Sequence, residues 1–284
     1  MKNNEIHIRD PYVLVYDGKY YLYGTRGPTC WGLAEGFDVY VGTDLENWSG
    51  PIEIFHNNGD FWADRHYWAP EVHCYNGEFY MFASFKSEEK RRGTQILKSS
   101  SPLGPFMIPS DGPVTPPQWE CLDGTLYVDG NNVPHMIFCH EHTQIVDGKM
   151  CVVTLANDLK TSVDEPRELF KASQAPWVRS AENGHYITDG PFMYRCKEGN
   201  LIMIWSSFSE EGYTVSIARS NDNEITGDWT QDPTLLFKKD GGHGMIFKGL
   251  DNILYLALHS PNKNPQERPK FFQLEDIGNT LVIK

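Results

Sequence analysis

A hairpin of β-branched and aromatic residues closed by a tight turn recurs five times along this chain, and that recurrence limits the available folds more than any other feature. Residues 12–25 read YVLVYDGKYYLYGT, 70–85 read PEVHCYNGEFYMFASF and 124–140 read GTLYVDGNNVPHMIFCH, each with Asp-Gly or Asn-Gly where two strands would reverse. The fourth and fifth are GPFMYRCKEGNLIMIWSSF at 190–208 and GMIFKGLDNILYLALHS at 244–260, the last with a weaker turn at Leu250-Asp251-Asn252. With Gly18, Gly77, Gly130, Gly199 and Asp251 as markers, the intervals are 59, 53, 69 and 52 residues. The first four hairpins are each followed by a second strand-rich stretch with a polar turn, such as DVYVGTDLENWSGP at 38–51, which predicts four strands per unit. Four-stranded antiparallel units at a fixed period predict an all-β fold, a five-bladed β-propeller with blades around a central channel. A β-sandwich is the competing architecture, but its units are rarely so long and alike. No Pro/Gly/Ser-rich linker divides the chain, so residues 1–284 read as one propeller domain.

Several function classes drop out on composition. The net charge of −13 opposes a phosphate backbone, and Lys90, Arg91 and Arg92 form too short a basic cluster to overcome it, so nucleic acid is not an expected partner. No run of eighteen apolar residues exists, and no membrane partner is expected. The start, MKNNEIHI, lacks the features of a secretory signal, which predicts a cytoplasmic protein unless a signal has been trimmed. Six cysteines without a C-x-x-C pair read as buried free thiols. His140-x-His142 beside Cys139 has strand spacing that suits a metal, yet no further ligand follows at a familiar interval, which favours a turn or surface role. Neither a Gly-rich phosphate loop nor a G-x-S-x-G elbow is present.

In a propeller the innermost strand of each blade lines the channel, so position within the repeat stands in for position in space. Asp10 lies 8 residues before its turn marker, Asp123 lies 7 before, Asp189 lies 10 before and His243 lies 8 before. The second repeat has Ala69 there, with Glu71 two residues on and therefore on the same strand face. Each Asp alone has a structural reading as a turn starter. Their shared phase predicts three carboxylates and one imidazole around one mouth of the channel. Crowded acids separate into one that keeps its proton and one that does not, which is the division glycosidic cleavage needs. Among thirty-seven aromatic residues, Trp31, Trp62, Trp68 and Trp205 are candidate platforms for sugar rings, although most aromatics belong to the core. Trp68 and Glu71 read equally well as sugar contacts and as blade packing.

These residues resemble family 43 glycoside hydrolases along essentially the whole chain. The carriers are Arg9-Asp10-Pro11, Trp68-Ala69-Pro70-Glu71, Leu122-Asp123-Gly124, Thr188-Asp189-Gly190-Pro191, Trp205-Ser206-Ser207 and Gly242-His243-Gly244, in that order and in blade phase. The resemblance implies a five-bladed propeller acting mainly on α-L-arabinofuranosides, arabinan and β-D-xylosides. It implies Asp10 as general base, Asp189 as general acid and Asp123 as the residue that tunes and orients the acid. His243 matches a histidine that in some members lies by a calcium or other ion in the channel; no cofactor is otherwise expected. Inversion of configuration is implied, with carboxyl groups roughly 6.5 to 9.5 Å apart so that water fits. The family usually has Glu where this chain has Asp189, so the acid arm is one methylene shorter, and Glu182, Glu210 and Glu211 are alternative acids. Asp123 is followed by Gly where Pro is common.

The expected function is therefore an inverting exo-acting glycosidase that removes terminal arabinofuranosyl or xylosyl groups from plant-derived oligosaccharides. Trp31, Trp68, Trp205 and Glu71 are the expected sugar contacts. A carbohydrate-binding propeller whose catalysis was weakened at Asp189, an endo-acting arabinanase and an interaction scaffold are the alternatives. Loops at 26–37, 57–67 and 86–93 are expected to shape the site.

Overall fold

Alternating side chains and tight turns give each repeat its own antiparallel sheet. The computed structural model describes residues 1–109, 112–181 and 183–284. Blade one consists of β1 (Ile8–Tyr16), β2 (Lys19–Arg26), β3 (Gly36–Gly42) and β4 (Ser49–His56), and blade two of β5 (Arg65–Tyr75), β6 (Glu78–Lys86) and β7 (Gly93–Ser99). Blade three follows with β8 (Cys121–Val128), β9 (Pro134–His140), β10 (Lys149–Thr154) and β11 (Arg167–Lys171). Blade four holds β12 (Asp189–Arg195), β13 (Leu201–Ser209), β14 (Gly212–Ser220) and β15 (Trp229–Phe237), and blade five β16 (Gly242–Lys248), β17 (Leu254–Ser260), β18 (Arg268–Asp276) and β19 (Leu281–Ile283). Strand order within each sheet is sequence order, so every blade is a meander. The five sheets form the five-bladed propeller that the repeat predicts. Among the described residues no helix is long and apolar enough to cross a membrane.

Blade two departs from the expected four strands. After β7 the chain makes a single bridge, in which Lys98 and Met107 exchange backbone hydrogen bonds of 2.8 Å. Pro102, Pro105 and Pro109 surround this bridge, and a residue without an N–H cannot extend a ladder. The adjacent Phe106 N–H instead reaches the Ile54 carbonyl of β4 at 2.8 Å.

Aromatic side chains fill the spaces between blades. Phe37 meets Tyr67 and Phe85 across the first interface with ring centroids 5.8 and 5.7 Å apart. Trp205 does the same between blades three and four. It is fully buried, with centroids 5.2 Å from Phe170 and 4.8 Å from Trp177, and its indole N–H donates to Gln231 at 3.0 Å. The expectation that Trp205 is a sugar platform is therefore corrected: the indole fills the core between sheets. Trp62 likewise donates to Gln95 at 2.6 Å and packs on Phe61, away from the pocket described below.

A second regularity, absent from any single motif, sets the inner rim. Each innermost strand starts with a break in register, between Arg9 and Tyr12, Trp68 and Glu71, Leu122 and Thr125, Asp189 and Phe192, and Gly242 and Met245. At each break one residue takes a left-handed backbone: Asp10 (φ 52°), Ala69 (48°), Asp123 (56°), Gly190 (47°) and His243 (52°). Such a conformation costs energy for a residue with a Cβ and persists where its surroundings impose it. Here the surroundings are hydrogen bonds from the second strand of the preceding blade. Thr25 Oγ1 accepts the Ala69 N–H at 2.7 Å, Ser84 Oγ that of Asp123 at 2.9 Å, Ser206 Oγ that of His243 at 2.8 Å, and His259 Nδ1 that of Asp10 at 3.2 Å. The matching position in blade three is Cys139, and sulfur accepts weakly. The Gly190 N–H turns instead to Asp123 Oδ2 at 3.0 Å.

This ring corrects the phase read from the sequence. The left-handed residue of blade four is Gly190, so Asp189 occupies the preceding place, equivalent to Arg9, Trp68, Leu122 and Gly242. A side chain at position 190 is excluded for a second reason, since a Cβ there would come within 2.8 Å of the His243 ring.

The burial of Trp205 generates a stability prediction. Trp205→Ala should lower the unfolding free energy by about 3–5 kcal/mol, the usual cost of emptying a large aromatic site, measured as a reduced urea midpoint. A change below about 1 kcal/mol would contradict its place in the core.

Candidate active site

The ring delivers two tiers of side chains to one mouth of the channel. From the left-handed tier come Asp10, Asp123 and His243, and from the tier one residue earlier come Arg9, Trp68 and Asp189; all six line one cavity of about 370 Å³.

Asp10 sits on β1 against blade five. Its Oδ2 accepts the Thr25 hydroxyl at 2.6 Å, and its Oδ1 lies 3.4 Å from Nδ1 of His243 and 3.4 Å from Nδ1 of His259. Because His259 Nδ1 accepts the Asp10 backbone N–H, the ring hydrogen of neutral His259 belongs on Nε2, 3.2 Å from Asn262 Oδ1. Burial, reinforced by Arg9, pushes His259 down to about 3, so it stays neutral. Burial alone would raise Asp10, but His243, Arg9 and the Thr25 hydroxyl outweigh it and hold this carboxyl below its ordinary value. Asp10 is thus a carboxylate.

The other two acids go the opposite way. Asp123 is almost completely buried, and burial together with the negative charge of Asp10 and Glu71 pushes it up to about 6, against hydrogen bonds with Asp189 and the Gly190 N–H. Asp189 rises further, well above the ordinary range, through burial first and then through the charge of Asp123 and the hydrogen bond it shares with that residue. Closely coupled acids titrate as a pair, and the proton they share resides on Asp189. One pocket therefore holds an ionised and a protonated carboxyl group. This is the pairing required to activate water with one group and protonate a leaving oxygen with another.

The remaining candidates divide. Trp31 is half exposed at the mouth, edge-on to Trp68 at 5.4 Å, with the Arg9 guanidinium 5.2 Å from its ring centre. Trp68 is held by His66, stacked at 4.8 Å, and by the Arg92 guanidinium 3.9 Å from its ring centre. Both indoles line the cavity. Glu71 does not. Three residues beyond Trp68 on β5, it pairs with His73 Nε2 at 3.0 Å, and His73 Nδ1 lies 3.2 Å from the Tyr12 hydroxyl. The expectation of a direct sugar contact from Glu71 is corrected accordingly, because its carboxylate is buried against its own strand and acts on the pocket only through its charge.

Of the alternative acids, Glu210 pairs with Arg179 at 2.9 Å on an exposed turn and Glu211 is exposed beside it, while Glu182 lies outside the described residues. His140 and His142 do not converge. His140 stacks on Trp119 at 4.2 Å and bonds Gln144, whereas His142 faces the cavity. Of the three loops expected to shape the site, 26–37 lines the cavity through Cys30 and Trp31, while 57–67 and 86–93 act behind it, through His66 and Arg92 against Trp68.

Sequence reasoning misses Tyr213, Glu141, Asn262 and Glu267 and favours a turn or surface role for His142, yet all five line the cavity. They come from a third strand and from segments between strands, where the repeat carries no phase to read. Glu267 has a partial signal in hindsight. It is fully buried and takes Arg9 Nη1 at 2.8 Å and His7 at 3.3 Å, so the carrier Arg9 needed an acid somewhere.

The expected ion meets a donor set that does not suit a protein-held calcium. Asp123, Asp189 and His243 each offer one donor within 4.8 Å of the others. Calcium takes 6–8 oxygens. One donor here is a nitrogen, and the two carboxyl groups are already engaged by Gly190 and Tyr213. The chemistry below is therefore derived from the side chains.

With this geometry in hand, comparison with known proteins is informative. The family model for Glycosyl hydrolases family 43 matches residues 5–275. A solved structure described as an endo-arabinase from Bacteroides thetaiotaomicron VPI-5482 superposes with a TM-score of 0.92 at 38% identity, covering 99% of each chain. An extracellular exo-α-(1→5)-L-arabinofuranosidase from Cellvibrio japonicus (strain Ueda107) is 23% identical over 270 residues, which is 86% of this chain and 72% of that protein. A xylosidase/arabinosidase from Bacteroides ovatus is 29% identical over 144 residues, 43% of this chain and 42% of that protein, so the matched stretch spans less than half of that relative. By its family match over residues 5–275 and its similarity to these proteins, the chain belongs to glycosyl hydrolase family 43 and is a glycoside hydrolase.

Proposed function

We propose that this glycoside hydrolase cleaves terminal α-L-arabinofuranosyl or β-D-xylosyl residues from plant-derived oligosaccharides with inversion of configuration. The observation that carries the reading is the opposite proton affinity of Asp10 and Asp189 in one cavity. In this reading Asp10 takes a proton from the attacking water, and Asp189 supplies one to the departing oxygen. As the C–O bond breaks, its electron pair goes to the leaving oxygen, which is protonated, while the anomeric carbon gains the water oxygen from the opposite face. Asp123, held by the Gly190 N–H, keeps the Asp189 proton in place through its own negative charge. Trp31 and Trp68 provide apolar surfaces for sugar at the mouth. An endo-acting arabinanase is the second reading, favoured by the 38% identity to the structure described as an endo-arabinase.

Turnover of aryl α-L-arabinofuranosides and β-D-xylosides tests the main reading, with the anomer first formed followed by proton NMR. Asp10→Asn is expected to lower kcat by about 100-fold or more, the usual scale of general-base catalysis. Sugar binding without turnover in the unaltered protein would favour the lectin-like alternative, and internal cleavage of linear arabinan the endo reading.

The pH dependence follows from the two carboxyl groups. Activity should fall at low pH as Asp10 gains a proton and at high pH as Asp189 loses one. Thr25→Val removes a hydrogen bond that favours ionised Asp10, so the acidic limb of kcat/KM should move to higher pH; an unmoved limb would remove Asp10 from the role of base.

A stability effect of opposite sign is expected at the acid. Asp189 keeps in the folded state a proton that the unfolded chain releases above about pH 4, so its burial costs stability increasingly as pH rises from there. Asp189→Asn should therefore melt at higher temperature than the unaltered protein at pH 7, with the difference shrinking toward pH 4.

A further inference from the structure

One ion pair at the cavity wall takes no part in the proton transfers. Glu141 follows β9, two residues beyond Cys139, and the equivalent places in the other blades hold Gly27, Lys86, Phe208 and Pro261, so blade three alone brings a carboxylate there. The Glu120 carbonyl accepts the Glu141 N–H at 2.8 Å and fixes its backbone. The Glu141 side chain is buried, lines the cavity and takes a hydrogen of Arg92 Nη1 on Oε2. Among the described residues nothing donates a hydrogen bond to its Oε1. Arg92 is buried as well. It gives a hydrogen of Nη2 to His66 Nδ1 at 2.8 Å and sets its guanidinium against the Trp68 ring, on which His66 also stacks. Neither Arg92 nor His66 lines the cavity, so both hold the indole from behind. The Trp68 N–H is taken by the Cys30 carbonyl at 2.5 Å, which leaves the indole no polar group for a ligand.

We propose that Glu141 is a substrate-binding residue whose Oε1 accepts the hydrogen of a hydroxyl on the sugar that lies against Trp68. The proposal rests on the reading of this cavity as a site for arabinofuranosyl or xylosyl groups, and it names the residue that selects among them by their hydroxyls. A sugar ring offers a C–H face that suits an indole and an edge of hydroxyls that does not. Trp68 supplies a surface for the first and nothing for the second, so a neighbouring group has to take the edge. Arg92 touches both the Glu141 carboxylate and the Trp68 ring, and so fixes acceptor and platform relative to each other. Neutralising Arg92 would not by itself require a carboxylate that borders the cavity, and a buried ion pair is a poor source of stability. A carboxylate paired with arginine accepts hydrogen bonds and has none to give. Glu141 therefore asks for a free hydroxyl, and a sugar deoxygenated or O-methylated at that carbon would leave Oε1 covered and unpaired.

The test measures kcat/KM for arabinobiose or xylobiose, whichever the unaltered protein cleaves, and for forms of that disaccharide with each free hydroxyl replaced in turn by hydrogen. Loss of one particular hydroxyl should lower kcat/KM of the unaltered protein by about 10- to 100-fold, the scale of a hydrogen bond to a charged group. Glu141→Gln keeps the shape of the side chain and an oxygen for Arg92, and in it the same deoxygenation should matter by less than about 5-fold, because the two changes remove one interaction. A common loss on every substrate, or an unchanged response to deoxygenation, would leave Glu141 only the structural task of holding Arg92 and overturn the proposal. A structure of Asp10→Asn with the bound disaccharide needs no change at Glu141 and reads the contact directly: Oε1 is expected about 2.7 Å from a sugar hydroxyl oxygen. A bound sugar with no oxygen within about 3.5 Å of Glu141 would also overturn the proposal. If neither disaccharide is cleaved or bound, the reading of the cavity falls and the proposal with it. Cleavage without a hydroxyl effect that depends on Glu141 removes the proposal alone.

Discussion

Everything in the pocket depends on hydrogen bonds that hold one residue per blade in a left-handed backbone. Asp10, Asp123 and His243 are β-carbon-bearing residues in a conformation that such residues avoid, and each is latched by its N–H to a side chain of the preceding blade. The latch does two jobs at once. It ties adjacent blades together, and it brings the latched side chain to the cavity wall. A propeller built this way holds the rim of its pocket with the same contacts that join its blades.

The exception in the ring is as informative as the rule. Where the other blades place Thr25, Ser84, Ser206 or His259, blade three places Cys139, and the Gly190 N–H is redirected to the Asp123 carboxylate. A weak acceptor at one point thus supplies a buried carboxylate with a hydrogen bond it would otherwise lack. That carboxylate in turn keeps the proton on Asp189 by like-charge repulsion. Asp10, bordered by Arg9 and His243, experiences the reverse field. Three aspartates within one cavity acquire different protonation states because their neighbours differ.

Much of this was legible in the residues. Turn markers at regular intervals are enough to predict five sheets in a ring, because each Gly or Asp at a hairpin tip reports a local conformation. The shared phase of Asp10, Asp123 and His243 is legible for the same reason. Asp189 was found at a spacing of 10 where the others have 7 or 8, and the discrepancy has a physical cause: it stands one residue ahead of the left-handed position, which glycine fills. The repeat predicts a fourth strand in blade two that prolines beside β7 limit to one bridge. Trp205 is buried where the sequence suggests a platform, because an aromatic in a strand reads alike whether it faces a neighbouring sheet or the channel.

Local chemistry therefore determined the number of blades, their turns and the residues that open each inner strand, since these depend on contacts a few positions apart. Tertiary structure alone decided which aspartate keeps a proton, which indole meets solvent, and that Tyr213, Asn262 and Glu267 join the site. Those outcomes depend on burial and on charges brought together from opposite ends of the chain. Asp10 meets His259 across 249 residues of sequence, and no local pattern encodes the distance between them.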